Sequence, residues 1–177
     1  MTLQIKRRGR PSKASIAERD KLVPKVKRAD TEVLADLRDR FEMLGKLTQG
    51  TMKANIRSMV VTGAPGVGKT YTVTNILENT LNAKYETVAG ALSAVELYKL
   101  GYRNRKAGSV IVLDDADSIF TDEDALNILK ALCDSSPVRR VSWLKDSATL
   151  RQDDTPQSYE FHGSFIFISN SRWWRDH

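Results

Sequence analysis

The sequence predicts a three-layer αβα fold around a parallel sheet. Two observations carry that expectation. From residue 58 onward, short β-rich runs alternate with segments of helical character, and three of the four runs are unbroken apolar stretches, as strands covered on both faces tend to be. With 177 residues, 41% of them apolar, the chain has room for one compact domain and a short extension.

The extension comes first. Residues 1–28 hold ten Lys/Arg against Glu18 and Asp20, a balance of +8, so the other 149 residues carry −2 of the net +6. This arm lacks hydrophobic periodicity and contains Pro11 and Pro24, and a largely disordered segment is expected. Within it Arg8-Gly9-Arg10-Pro11 resembles the core of an AT-hook, in which Arg8 and Arg10 would enter a narrow A·T minor groove. The alternative is a solvated basic tail that contacts any polyanion. Charges stand where a signal peptide would need an apolar stretch, so none is expected, and no run approaches the ~18 apolar residues of a membrane span. Cys133 is the sole cysteine and can form no internal disulfide, so a soluble, cytoplasmic protein is expected.

The body, residues 29–177, opens with Val33, Leu34, Leu37, Phe41 and Leu44 at helical spacing, an amphipathic helix over 30–47 capped near Asp30 or Thr31. Strands are expected at 58–62 (SMVVT), 85–89 (YETVA), 109–113 (SVIVL) and 165–169 (FIFIS), with helices at 69–82, 91–102 and 122–134. The run 85–89 is more mixed than the others and reads as an edge.

Between the first strand and the next helix stands Gly63-Ala64-Pro65-Gly66-Val67-Gly68-Lys69-Thr70, a complete GxxxxGK[ST] loop, or Walker A. Its glycines let successive N–H groups turn toward phosphates at a positive helix N-terminus. Lys69 would reach the β- and γ-phosphates of ATP, and the Thr70 hydroxyl would ligate Mg²⁺. The third strand runs into Asp114-Asp115, a Walker B pattern. Its C-terminal end is where ligands bind in an open α/β sheet, so Asp114 would hold Mg²⁺, through water. Asp115 stands where many such ATPases carry a longer glutamate to polarise the attacking water, so either the site is built around the shorter side chain or hydrolysis is slow. Asp117 competes for that role, or else serves as a helix N-terminal charge.

The order GAPGVGKT, VIVLDDADSIF, SFIFISN resembles the AAA+ ATPases over roughly residues 43–170, and most of all AAA ATPases encoded by bacteriophages. The resemblance implies a strand order that puts 165–169 between 58–62 and 109–113, and makes Asn170 the "sensor 1" residue, reaching the γ-phosphate or the lytic water. It implies an ATP- and Mg²⁺-dependent hydrolase working as a homo-oligomeric ring in a bacterial or phage-infected cell. Residues 138–144 and 158–162 would pair as a hairpin insert over 138–162, with Arg139 and Arg140 as candidate contacts, or as a ribbon packed on the domain. The loop 102–106 (YRNRK) would contact nucleic acid or simply be solvated. Cys133 reads as a small core residue. His162 and His177 have no companions at metal-ligand spacing.

An AAA+ module continues beyond sensor 1 with an arginine-finger helix, a fifth strand and a helical lid. Residues 171–177 are too few for these, and Arg172 and Arg175 lie too close to Asn170 to serve as fingers. The expectation is a core truncated after sensor 1, with 58–62 as an apolar sheet edge and Trp173 and Trp174 lacking a lid. Three functions stay open: an ATPase acting on DNA through the basic arm, a protein-remodelling ATPase, and a nucleotide-binding regulator that does not hydrolyse.

Overall fold

The computed structural model describes residues 29–170; Arg8, Arg10, Arg172, Trp173, Trp174, Arg175 and His177 lie outside the described residues. The chain divides into two units, residues 1–37 and 38–177. The described part of the first is the opening of helix α1, Asp30–Met52, where Asp30 and Glu32 complement the positive end of the helix. Val33, Leu34 and Leu37 are exposed there.

In the second unit α1 runs on to Met52, five residues past the periodic pattern. Its last buried positions are Thr48 and Thr51, whose hydroxyls donate to Leu44 O and Thr48 O at 2.9 and 2.7 Å. A threonine can be buried on a helix when its hydroxyl is satisfied by the preceding turn, and a reading based on apolar spacing stops too early.

The strands β1 Ser58–Thr62, β2 Lys84–Ala89 and β3 Ser109–Asp114 alternate with helices α2 Lys69–Glu78 and α3 Ala94–Arg103. A 3₁₀ turn, Asp117–Phe120, and helix α4, Glu123–Leu132, follow. Next come β4 Arg139–Ser142, α5 Ala148–Gln152, β5 Ser158–Phe161 and finally β6 Ser164–Ser169. Helix starts obey side-chain chemistry: Ser93 accepts from Glu96 N and Asp122 from Ala125 N, so α3 and α4 begin at their caps rather than at the first apolar residue.

β1, β6, β3 and β2 form a parallel sheet in that order. The interior strands β3 and β6 are buried almost throughout, because each face meets helices. Ile111, Leu113, Phe165 and Phe167 pack with α3 and α4, while Val110, Val112, Ile166 and Ile168 pack with Val73 and Leu77 of α2 and Leu44 of α1. Each such buried side chain contributes about 1.5–3 kcal/mol of transfer free energy. The edge position expected for 85–89 is where β2 lies. β1 lies at the sheet edge expected for 58–62: it alternates exposed and half-buried residues, Val60 being 51% exposed, and among the described residues it pairs with β6 alone.

β4 and β5 pair antiparallel outside the main sheet. Their base is fixed to α3: Tyr159 Oη donates to Tyr98 O at 2.8 Å and Tyr98 Oη donates to Pro156 O at 2.7 Å. Burial pushes the Tyr98 phenol up to about 12. Gly101 makes the approach possible, since a Cβ there would collide with the Tyr159 hydroxyl. Arg139, considered as a surface contact, is instead buried, donating to Leu132 O and Gly163 O at 2.9 and 2.8 Å with its guanidinium over the Phe161 ring. Arg140 is exposed and pairs with Glu160. No helix among the described residues is long and apolar enough to cross a membrane.

Candidate functional site

The C-terminal ends of β1, β3 and β6 lie side by side, because the register pairs Thr62 with Ser169 and Asp114 with Ile168. Parallel strands all end on one edge, and the residues just past these three converge there. β1 delivers the loop Gly63 to Gly68, β3 delivers Asp114 and Asp115, and β6 delivers Asn170.

The loop turns through two left-handed glycines, Gly66 at φ +76° and Gly68 at φ +96°, a conformation that side chains resist. Gly68 is also the N-cap of α2 and brings no side-chain cap, whereas Ser93, Asp122 and Ser147 cap α3, α4 and α5. A helix start without a side-chain cap, approached by a glycine loop, leaves the first-turn N–H groups to an anion. Ala64, Pro65 and Val67 fill the exposed outer turn of the loop.

Lys69 begins α2 and is 7% exposed. Its ammonium has three protons and donates to Gly63 O at 3.0 Å, Ala64 O at 2.9 Å and Asn170 Oδ1 at 2.7 Å. Next to it the Thr70 hydroxyl donates to Asp114 Oδ1 at 3.2 Å, so two oxygen ligands from different elements stand together. Mg²⁺ takes few protein oxygens and completes its octahedron with phosphate and water, and the Thr70–Asp114 pair fits that donor set. Among the described residues no group of three or more His, Cys, Asp or Glu forms a metal cage of its own.

Asp115 adopts φ +49°, a left-handed conformation that aspartate tolerates better than most residues, and its N–H donates to Ile168 O at 2.9 Å. The reversal directs its carboxylate to Asn170, whose Nδ2 donates to Asp115 Oδ1 and Oδ2 at 2.9 and 2.7 Å. The amide orientation follows from its partners: exchanging O and N would set an NH₂ against an ammonium and an oxygen against a carboxylate. Asp117 is held elsewhere, accepting from the Ser169 hydroxyl at 2.8 Å at the start of the 3₁₀ turn.

Lys69, Thr70, Asp114, Asp115 and Asn170 are therefore brought together. The Ser169–Asp117 bond was missed, although a serine closing an otherwise apolar strand was the available signal. The loop 102–106 is drawn into the fold. Arg105 lies 4.1 Å over the Tyr102 ring and donates to Tyr102 O, while Arg103 and Asn104 both bind Glu86. These cations serve internal partners, which favours the plain surface-loop reading. Cys133 is half-buried, with its thiol pushed up to about 11 by burial.

Residues 59–141 match the model of the ATPase family associated with various cellular activities (AAA). The chain is also 34% identical over 151 residues to an uncharacterized 36.7 kDa protein of the nrdC-mobD intergenic region of Enterobacteria phage T4. The segment 59–141 belongs to the AAA family. The match to the phage protein covers 84% of this chain and 46% of that protein, so the chain spans about half the length of the curated relative it matches. No solved structure matches this chain. The family segment contains the glycine loop and both aspartates, and Asn170 lies beyond it.

Proposed function

We propose that this chain binds ATP with Mg²⁺ and hydrolyses it at the edge where β1, β3 and β6 end. The observation that carries the reading is the chain of contacts that joins the loop lysine to the second aspartate through Asn170. Backbone N–H groups of residues 66–70 cradle the phosphates, and Lys69 binds β- and γ-oxygens. Thr70 and Asp114 would hold the Mg²⁺, which would supply positive charge to offset that of the phosphates. Asp115 takes the proton of the attacking water, and Asn170 orients the γ-phosphate or that water.

The wider assignment is an AAA ATPase of a phage or its host's cytoplasm, assembled as a homo-oligomeric ring and acting on DNA, with Arg8 and Arg10 in the basic arm as anchors. The charge of the arm supports it, since +8 in 28 residues favours a polyanion. DNA binding that weakens with salt and disappears on deletion of residues 1–28 supports this partner. DNA binding that survives the deletion unchanged contradicts the role of the arm, and stimulation by unfolded protein rather than DNA favours a remodeller of proteins.

The test of the chemistry is ATP turnover titrated against protein concentration, for wild type, Lys69→Ala and Asp115→Asn. Wild type is expected to turn over with specific activity rising as subunits associate, and both variants to lose it. Tight nucleotide binding without turnover at any concentration would favour a non-hydrolysing regulator.

A further inference from the structure

A groove of about 450 Å³ opens where the chain enters β2 and β3, lined by Gln49, Met52 and Lys53 at the end of α1, by residues 80–84 and by Ala107 and Gly108. Lys84 starts β2 and pairs with Ser109 of β3, while Ala89 at the other end of β2 pairs with Asp114. The groove therefore lies at the opposite edge of the sheet from the glycine loop, a strand's length or roughly 17 Å from Asp114. Three exposed lysines gather there: Lys53 and Lys84 line the groove, and Lys106 immediately precedes Ala107. Past Arg40, every other described lysine and arginine has a hydrogen-bonding partner of its own, and these three have none. No carboxylate lines the groove; Glu78 ends α2 outside it, and Glu86, two residues past Lys84, is taken up by Arg103 and Asn104. Like charges around a concave surface repel one another and focus a positive potential into it, and a polyanion relieves that repulsion while releasing its own counterions.

We propose that this groove is a second DNA contact, on the folded body, that takes the phosphate backbone of a duplex. The inference rests on the DNA partner proposed above and deepens it by naming a surface apart from the basic arm. An ammonium on a flexible stem meets a phosphate as a point charge, whereas selective recognition of a peptide carboxylate favours the arginine fork, which the groove lacks. Gln49, Thr80 and Asn82 add neutral donors of the kind that bond phosphate and sugar oxygens. Such contacts carry no sequence information, so binding is independent of sequence. DNA held at this edge leaves the edge of Lys69 open to nucleotide.

The test is binding of a short fluorescent DNA duplex to the full chain, followed by anisotropy across a salt series. Lys53→Ala/Lys84→Ala/Lys106→Ala is compared with Lys46→Ala/Lys130→Ala/Arg151→Ala, which removes the same charge from residues that already have partners. The groove variant should bind about tenfold more weakly, with a double-logarithmic salt slope shallower by about 2 to 3, near 0.9 for each lysine. The control variant should stay within about twofold of wild type. On wild type, where no variant has to fold, bound DNA should slow acetylation of Lys53, Lys84 and Lys106 and leave Lys46 unprotected. Equal losses in the two variants, or no protection of the three lysines, overturns the groove. Binding that is lost on deletion of residues 1–28 yet unchanged in the groove variant overturns it while the arm and its partner stand, and a wild type that binds no DNA overturns both. Polyglutamate that protects the three lysines where the duplex does not overturns the choice of nucleic acid over an acidic protein.

Discussion

Lys69 Nζ and Asn170 Oδ1 stand 2.7 Å apart although 101 residues separate them in the chain. The sheet explains how: β1 and β6 are adjacent and parallel, so the residues that follow them leave the same edge. A contact of this kind has few degrees of freedom, since one partner is rooted in the first turn of α2 and the other in the end of a buried strand.

The Thr70–Asp114 pair should make nucleotide binding depend on metal. Thr70→Ala and Asp114→Asn are expected to lower the apparent affinity for Mg²⁺ about tenfold or more, while metal-free ADP binding changes little. Titrating Mg²⁺ at fixed nucleotide gives the comparison, and an unchanged Mg²⁺ midpoint in both variants would contradict the assignment.

Arg139 ties the start of β4 to the end of α4 and to Gly163 just before β6. Arg139→Met keeps much of the side-chain volume but leaves Leu132 O and Gly163 O without this donor. A loss of about 1–3 kcal/mol in urea unfolding is expected, with little change in the slope. Arg140→Met, at an exposed ion pair, should fall within about 0.5 kcal/mol of wild type.

Cys133 supplies a pH dependence whose sign is determined. Burial raises its thiol in the folded chain to about 11 from an ordinary 9.0. The folded state then holds the proton where the unfolded state has lost it, so this stability is fully present below pH 9 and is lost as pH rises toward 11. Wild type should lose roughly 2–3 kcal/mol more than Cys133→Ala across that interval. Equal losses in chemical denaturation at both pH values would refute the shift. Iodoacetamide at pH 8 should also react about a hundredfold more slowly with the folded thiol than with a free one.

What could be read from the sequence was whatever is encoded locally. The glycine loop, the apolar run ending in Asp114-Asp115 and the strand ending at Asn170 each announce themselves within a few residues, and the resemblance they support puts the three strand ends together. Contacts made by long side chains across the fold leave no such trace. Arg139 and Arg140 are identical neighbours in sequence, yet strand alternation buries one and exposes the other. The mixed loop 102–106 looks like a surface for nucleic acid until Glu86 and the tyrosine ring claim Arg103 and Arg105, with Lys106 left at the surface. The left-handed turn at Asp115 was equally illegible, because it follows from the register between β3 and β6.

The central claim is that the loop Gly63 to Thr70, with Lys69 at its end, is a nucleotide site. Equilibrium binding of ATP with Mg²⁺, measured by calorimetry on wild type and Lys69→Ala, tests it most directly. Lys69 meets only loop carbonyls and Asn170 among the bonded partners described, so the substitution should leave the thermal midpoint within a few degrees. The account predicts saturable binding to wild type and a loss of at least about tenfold, near 1.4 kcal/mol, in Lys69→Ala. Equal affinities in two equally folded proteins would contradict it.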